Sequence, residues 1–204
     1  DNLWSLPGGY ILQTESIDDA ASRILRERTG LDNIYLEQFK AFGGPDRIIG
    51  SEFRDLVRSG LREFDPERFD EEAINWVTSR FVCIGYYALV DLNKVDPKIG
   101  EFEEFLKWVS IEELPKMTHD HNAIVTSAHK ALRQNLDEKL IGFNLLPDEF
   151  TMREVKELYE AVYDKEFPMN NFQKKTLGLQ VLERLGKKFT GAQNRAPYVY
   201  RFKK

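Results

Sequence analysis

The sequence predicts an α/β domain, with a mixed sheet and flanking helices, followed by a small domain of two helices and a basic hairpin. An amphipathic helix over residues 17–28 and an apolar, β-rich run over residues 81–92 predict the first domain. Two helical segments after residue 150, with strand-like arms behind them, predict the second. We therefore divide the chain into residues 1–137 and residues 138–204.

The composition is that of a folded protein rather than a disordered or membrane-embedded one. Hydrophobic residues make up 42% of the chain and charged residues 31%. No stretch approaches the roughly 20 consecutive apolar residues of a membrane span. The single cysteine, Cys83, cannot form an internal disulfide, which favours a reducing cytoplasm and argues against a cysteine-based metal site.

The first predicted helix has a defined start and end. Ser16 followed by Asp19 is the pattern of a capping box, and Gly30 stands where a helix-terminating glycine belongs. Six positions between these signals repeat at intervals of three and four, as one helix face does: Ile17, Ala20, Ala21, Ile24, Leu25 and Arg28.

Positions 24, 27 and 28 share about a quarter-turn of this helix. They carry Ile24, Glu27 and Arg28, so the formal charge of the arc is zero. Mg²⁺ prefers several carboxylate oxygens, and a protonated arginine repels it. We therefore expect no tight Mg²⁺ site on this helix. Arg23, four residues before Glu27, offers that glutamate an ion pair as an alternative role.

The spacing of a Nudix box is kept by these residues: Gly9, Glu15, Arg23, Glu27, Gly30 and Leu31. The chain thus resembles the Nudix hydrolase family, although Ile24 and Arg28 replace two of the three helix glutamates that hold the metal in that family. The resemblance implies a Nudix fold whose first strand or two precede this sequence. It assigns no catalytic residue and leaves only Glu15, Arg23 and Glu27 of the box.

If the Nudix pocket senses a ligand instead of hydrolysing one, a small polar molecule is expected beside the glycine loop. Ligands bind such clefts through a few placed polar groups on a mostly apolar wall. We expect Trp4, Gly8, Gly9 and Glu27 to form this effector site.

Two further patterns in the first domain have competing interpretations. His119 and His121 flank Asp120 with a spacing that suits a metal, but directly before a helix Asp120 or His121 also suits the role of a cap or a hydrogen-bonded orienter. Acids over residues 101–104, including Glu103, lie where many Nudix enzymes place a water-activating carboxylate. Acids at a turn are otherwise simply solvated.

The remaining elements of the first domain follow in chain order. They are predicted as a strand that leads into a loop over residues 4–10, a strand at 35–42, a helix at 51–64, a polar loop at 70–72, a buried strand at 81–92, a strand and short helix at 108–114, and a helix at 122–134. Residues 51–79 form an apparent insertion. A lid, a dimer contact and a passive surface decoration are all open as its role.

Charge divides the chain unequally. Residues 1–137 hold 16 basic and 25 acidic residues, whereas residues 138–204 hold 13 basic and 9 acidic ones. From Phe167 onward there are nine basic residues and one acid, Glu183. An acidic body with a basic C-terminal module favours nucleic acid as a partner, with a merely basic surface as the alternative.

The C-terminal module has the pattern of a winged helix-turn-helix. Thr151 and Glu154 form a capping box that starts one helix, and a break follows at residues 164–168. The second helix is expected from Met169 to about Leu185, with Asn170 or Asn171 as its cap. Its inward residues are expected to be Phe172, Leu177, Leu179, Val181, Leu182 and Leu185. Two arms, 187–190 and 198–202, complete the hairpin.

The second helix carries side chains suited to reading DNA. Amides pair bidentately with adenine, and lysines meet phosphate. We expect contacts to DNA from the helix residues Asn170, Asn171, Gln173, Lys174 and Lys175, and from the hairpin residues Lys187, Lys188 and Arg195. A winged helix used only for protein contact is the alternative.

Both halves together resemble the Nudix-related transcriptional regulators. The resemblance is carried by the box from Gly9 to Leu31 and by residues 145–147, 150–151, 158–159, 171–172 and 200–202. It implies a cytoplasmic, homodimeric repressor that binds operator DNA, senses a pentose or an ADP-ribose-like metabolite, and needs no cofactor. The alternative function is a Mg²⁺-dependent Nudix pyrophosphohydrolase, with Glu27 and acids such as Glu15 or Glu103 rebuilding a metal site.

Overall fold

A computed structural model describes residues 4–32, 34–45, 47, 51–65, 67–90, 92–100, 103–138, 146–187 and 196–203. The helices and strands are α1 (Ile17–Thr29), β1 (Leu36–Phe42), α2 (Ser51–Phe64), α3 (Glu71–Val77), β2 (Cys83–Ala88), α4 (His121–Glu138), β3 (Phe150–Thr151), α5 (Met152–Tyr163), α6 (Met169–Gly178), β4 (Leu182–Lys187) and β5 (Tyr198–Phe202). None of the helices in these ranges has both the length and the apolarity that crossing a membrane requires.

The chain forms two compact units. One comprises residues 1–32, 36–87 and 96–128, and the other comprises residues 33–35, 88–95 and 129–204. The second part of α4 packs with α5: the Arg133 guanidinium donates to the carbonyl oxygens of Val162 at 3.1 Å and Tyr163 at 3.0 Å. The Tyr159 hydroxyl donates to the carbonyl of Leu136 at 3.2 Å. Residues 129–137 thus belong to the second compact unit.

Both predicted ends of α1 are confirmed. The Ser16 hydroxyl accepts the Asp19 N–H at 3.1 Å, and the Asp19 carboxylate accepts the Ser16 N–H at 3.4 Å. At the other end Gly30 has φ 70° and donates to the carbonyl of Arg26 at 2.8 Å. Ala20 is buried on the inner face, whereas Ile17 at the first turn is exposed. The caps therefore fix where the box helix starts and stops.

Strands β1 and β2 pair with each other. Gly85 permits their close packing, since a Cβ there would lie 2.5 Å from the Phe39 ring and 3.0 Å from Phe42. Strand β2 is shorter than the predicted strand at 81–92. At 108–114 the predicted short helix is confirmed as a 3₁₀ turn at Ile111–Glu113, whereas the predicted strand is wrong. At 4–10 the predicted strand is reduced to a single bridge between Trp4 and Met117, and the rest is loop.

The apparent insertion folds into helices. Helix α2 matches the predicted helix at 51–64. The predicted polar loop at 70–72 is wrong, because Asp70 caps α3 by accepting the Ala73 N–H at 2.8 Å. Ile74 anchors α3 with a fully buried side chain. Arg58 and Arg62 of α2 both pair with Glu71 of α3, which ties the two helices together.

The C-terminal unit is a winged helix with a three-stranded antiparallel sheet in the order β3-β5-β4. Phe150 lies opposite Tyr200, and Leu182 opposite Phe202. The predicted capping box is confirmed, with the Thr151 hydroxyl and the Glu154 carboxylate satisfying each other's backbone N–H groups. The core lies between sheet and helices and contains the buried side chains of Phe150, Val155, Tyr159, Phe172 and Tyr200.

The predicted extent of the second helix of this unit is wrong. Helix α6 ends at Gly178 because Gln180 adopts φ 59°, a left-handed conformation that a right-handed helix cannot continue. The chain then enters β4, so Leu182 pairs with β5 instead of extending the helix. Pro168, rather than Asn170 or Asn171, occupies the N-cap position. Three of the leucines expected inside are exposed: Leu177, Leu179 and Leu185.

Substitution of Gly85 by alanine should destabilise the N-terminal unit. The added methyl group would overlap two aromatic rings, and overpacking of this kind costs about 1–3 kcal/mol. Gly60→Ala is the matched control, because that position is helical and exposed with nothing within 4 Å of the new Cβ. It should leave stability unchanged or raise it. Urea unfolding at constant m-value measures both, and equal midpoints for the two variants would contradict the packing assignment.

Candidate functional site

Arg23 is the centre of the residual Nudix box. Its guanidinium donates to Glu15 at 2.7 and 3.0 Å, to Glu27 at 3.2 Å, and to the carbonyl oxygen of Tyr10 at 2.9 Å. The hydrogen bonds from Arg23 lower the pKa of Glu15 to about 2. The ion pair predicted for Glu27 is therefore present. Two of the acids that could have held a cation are instead held by one arginine.

Arg28, on the same helix, forms a further ion pair with Glu103. Its guanidinium donates to the Glu103 carboxylate at 2.6 Å, and that carboxylate also accepts the Gly100 N–H at 2.8 Å. The other terminal nitrogen of Arg28 lies 3.5 Å from the carbonyl oxygen of Gly8. Both partners are largely shielded, with side-chain exposures of 19% and 25%. Glu103, the candidate water-activating acid, thus balances the charge of Arg28.

Ile24 fills the third position of the arc. A Cβ at Gly9 would lie 2.9 Å from two side-chain carbons of Ile24, so the glycine loop rests directly on this side chain. The apolar contact between Gly9 and Ile24 thus replaces a glutamate of the Nudix box. The described residues contain no group of three His, Cys, Asp or Glu side chains arranged to hold a metal ion.

The structure brings together some of the residues predicted for the effector site. Gly8 and Gly9 both contact the box helix, through Arg28 and Ile24. Glu27 lies on the same helix with 55% of its side chain exposed. The described contacts of Trp4 lie elsewhere: its ring packs edge-to-face on Phe105 at 4.9 Å, and its carbonyl oxygen accepts the Thr118 N–H.

The His119-Asp120-His121 motif orients the chain. Asp120 accepts the Arg47 guanidinium at 2.9 Å, and Arg47 also donates to the carbonyl of Phe81 at 2.8 Å. His121 Nδ1 accepts the Leu6 N–H at 2.9 Å, two residues before the glycine loop. Burial lowers the pKa of His121, with smaller effects from His119 and Arg47. The interpretation as a hydrogen-bonded orienter is confirmed.

Sequence reasoning missed two features here. Arg47 belongs to no recognisable motif, and its link to Asp120 spans 73 positions. Tyr10, Trp76 and Phe81 form an aromatic cluster whose members come from the glycine loop, from α3 and from the chain before β2. Only tertiary packing unites such residues, so spacing along the chain could not have found them.

Helix α6 presents the predicted reading face to solvent. Phe172 and Thr176 are buried, and the Phe172 ring packs edge-to-face on Tyr159 at 5.2 Å. Four predicted DNA contacts are exposed: Asn170, Asn171, Lys174 and Lys175. Gln173 is half-buried at the flank. The helix is thus anchored on one side and carries amides and lysines on the other.

The hairpin adds cations next to this helix in sequence. Lys187 is exposed, and its Nζ lies 5.5 Å from the centre of the Tyr198 ring. Arg184 stacks over the same ring at 4.5 Å, while Arg201 pairs with Glu183 at 2.8 Å. Lys188 and Arg195, also predicted to contact DNA, lie outside the described residues.

Comparison with known proteins assigns both halves. The family model for the NUDIX domain matches residues 1–128, and that for the NrtR DNA-binding winged helix domain matches residues 142–202. The chain is 25% identical, over 98% of its length and 70% of the relative's, to the ADPR responsive transcriptional repressor NtrR of Acinetobacter baylyi. It is 28% identical to the RNA pyrophosphohydrolase of Bartonella clarridgeiae over 56% of this chain and 61% of that one.

Solved structures share the whole fold. Shewanella oneidensis NrtR, at 24% identity, superposes with a TM-score of 0.64 over 98% of this chain and 80% of that one. The same protein complexed with a 27mer DNA gives a TM-score of 0.64 at 23% identity, with the same coverage.

The wild-type protein should hydrolyse ADP-ribose poorly or not at all with Mg²⁺. The double variant Ile24→Glu/Arg28→Glu should bind Mg²⁺ more tightly, because it restores three carboxylates to the arc and frees Glu103. Arg26→Glu is the control, since Arg26 lies outside the arc and is largely exposed. Calorimetry measures the affinity for Mg²⁺, and chromatographic detection of AMP, which forms together with ribose 5-phosphate when the pyrophosphate bond is cleaved, measures turnover. Robust wild-type turnover would contradict the assignment.

Acidification should destabilise the N-terminal unit through its histidines. Burial keeps His119 and His121 neutral in the fold and lowers the pKa of each below 6.5. The unfolded chain therefore takes up protons first, so stability is full above about pH 6.5 and declines below it. His121→Asn, whose amide oxygen can still accept the Leu6 N–H, should show a shallower decline in thermal midpoint. An unchanged pH profile in that variant would count against the His121 assignment.

Proposed function

The chain belongs to the family of Nudix-related transcriptional regulators, and we propose that it is a repressor whose operator affinity is set by ADP-ribose. The observation that carries the proposal is the exposed face of α6, where amides and lysines stand opposite a buried Phe172 and Thr176. The basic charge from Phe167 onward supplies sequence-independent attraction to phosphate. Amides on a helix of this kind supply directional contacts to base edges.

The Nudix unit is proposed to bind ADP-ribose without a metal. ADP-ribose is the effector in the printed name of the relative from Acinetobacter baylyi. The arc that would hold Mg²⁺ carries Ile24, Arg28 and an arginine-bound Glu27. A pentose is the alternative effector.

We also propose that the repressor is a cytoplasmic homodimer.

Ligand and operator are coupled by linkage. A ligand that binds one arrangement of the dimer more tightly changes the affinity for the operator. The operator then changes the affinity for the ligand by the same factor. Such couplings are typically about 5- to 150-fold. The proposed repressor therefore needs no chemistry, only a difference in ADP-ribose affinity between two states.

A Nudix pyrophosphohydrolase is the second candidate. It is favoured by the relative from Bartonella clarridgeiae and by the exposed Glu27 carboxylate. Metal-dependent turnover separates it from the repressor, because the repressor responds to ADP-ribose in the presence of EDTA.

ADP-ribose in EDTA should release the protein from DNA upstream of its own gene. Within the proposed coupling, operator affinity should change by about 5- to 150-fold. Fluorescence anisotropy with labelled duplex measures this, with ribose 5-phosphate and arabinose in parallel. A response to the pentoses alone would favour the rival effector, and no response to any of the three would overturn the sensing role.

Lys174 and Asn171 should contribute to DNA binding in different ways. Lys174→Ala should weaken binding to operator and scrambled duplex alike and reduce the salt slope by about one unit. Asn171→Ala should cost roughly 1–3 kcal/mol on operator and little on scrambled duplex. The control is Lys116→Ala, an exposed lysine of the N-terminal unit. Wild-type binding of both duplexes by both α6 variants would remove this helix as the reader.

A further inference from the structure

We propose that Tyr10 and Trp76 form a stacking surface for the adenine base of the effector, so that the apparent insertion is part of the ligand site. This inference rests on the proposed function. The two ring centres lie 5.0 Å apart at 44°, and Phe81 packs behind both, at 5.7 Å from Tyr10 and 5.1 Å from Trp76. Three aromatic side chains thus converge at one place in the N-terminal unit.

The front of this cluster is open. Tyr10 is 52% exposed and Trp76 is 53% exposed, although both rings already have aromatic neighbours. Adjoining exposed aromatic rings form an apolar patch of the kind at which ligands and partners bind. A flat, uncharged π-face is what a nucleobase stacks on.

The cluster is held rigidly next to the box. Tyr10 directly follows the glycine loop, and its carbonyl oxygen accepts the Arg23 guanidinium at 2.9 Å. Trp76 is fixed from the other side, because its helix is anchored by the buried Ile74 and Thr78. The Trp76 carbonyl also accepts the Ser79 hydroxyl at 2.7 Å. A preorganised pair of rings binds a base without the entropic cost of ordering them.

The chemistry favours an adenine-containing ligand over a free pentose. A sugar offers hydroxyl groups, which need polar partners, whereas the open surface of this cluster is aromatic. The position of the rings beside Gly9 places the base at the end of the box, and leaves the polar side chains of α1 for the rest of the molecule.

The test compares Trp76→Ala and Trp76→Phe with Trp108→Ala, a control whose tryptophan is equally exposed at 54%. By calorimetry in EDTA, Trp76→Ala should lose about tenfold or more in ADP-ribose affinity, Trp76→Phe should retain most of it, and the control should match wild type. Circular dichroism and thermal unfolding of each variant show whether its N-terminal unit is folded. ADP-ribose should also quench the tryptophan fluorescence of wild type more than the tryptophan fluorescence of Trp76→Phe. This comparison tests the stacking surface even if Trp76→Ala fails to fold.

The outcomes separate the inference from the function on which it rests. If wild type binds ADP-ribose and Trp76→Ala binds it equally well, the stacking surface is wrong and the sensing role stands. If wild type binds no ADP-ribose, both fail. A Trp76→Ala protein that keeps its ADP-ribose affinity but sediments as a smaller species would show that the cluster contacts a second copy of the chain instead.

Discussion

The ion pairs of two arginines on one helix, Arg23 and Arg28, determine what the N-terminal unit can do. Arg23 holds Glu15 and Glu27 and the carbonyl oxygen of Tyr10, while Arg28 holds Glu103 and approaches the carbonyl oxygen of Gly8. The glycine loop is thereby fixed to the box helix by arginines. The same pairs satisfy the acids that would otherwise attract a divalent cation. The helix and glycine loop of a Nudix box are kept, but the guanidinium groups of Arg23 and Arg28 bind the carboxylates.

The C-terminal unit holds the short helix α6 in place on one side and exposes its other side to solvent. Phe172 and Thr176 bury one side of α6, and the Phe172 ring is packed by Tyr159 and Phe167. The opposite side is then free to carry amides and lysines. Because α6 ends at the left-handed Gln180, the chain turns at once into β4 and places basic residues of the hairpin directly after the helix.

Local signals allowed the sequence to predict much of this structure, and long-range contacts explain the rest. Both capping boxes and the terminal Gly30 were readable because caps are local hydrogen bonds. The end of α6 was misjudged because leucines at 177–185 satisfy a helical period, whereas pairing with β5 decides the outcome. The replacement of two carboxylates in the arc was readable, because Ile24 and Arg28 stand at those positions in the sequence. Two contacts could not be read from the sequence, because each joins segments that are far apart along the chain: the ion pair of Arg28 with Glu103 and the contact of Tyr10 with Trp76.

The reciprocity of ligand and operator tests the central claim most directly. Calorimetry in EDTA would measure the affinity of ADP-ribose for the free protein and for the protein saturated with operator duplex. If a metal-free Nudix unit controls DNA binding, operator must weaken ADP-ribose binding by the same factor by which ADP-ribose weakens operator binding. Equal ADP-ribose affinity in both states, or binding that appears only when Mg²⁺ is added, would contradict that claim.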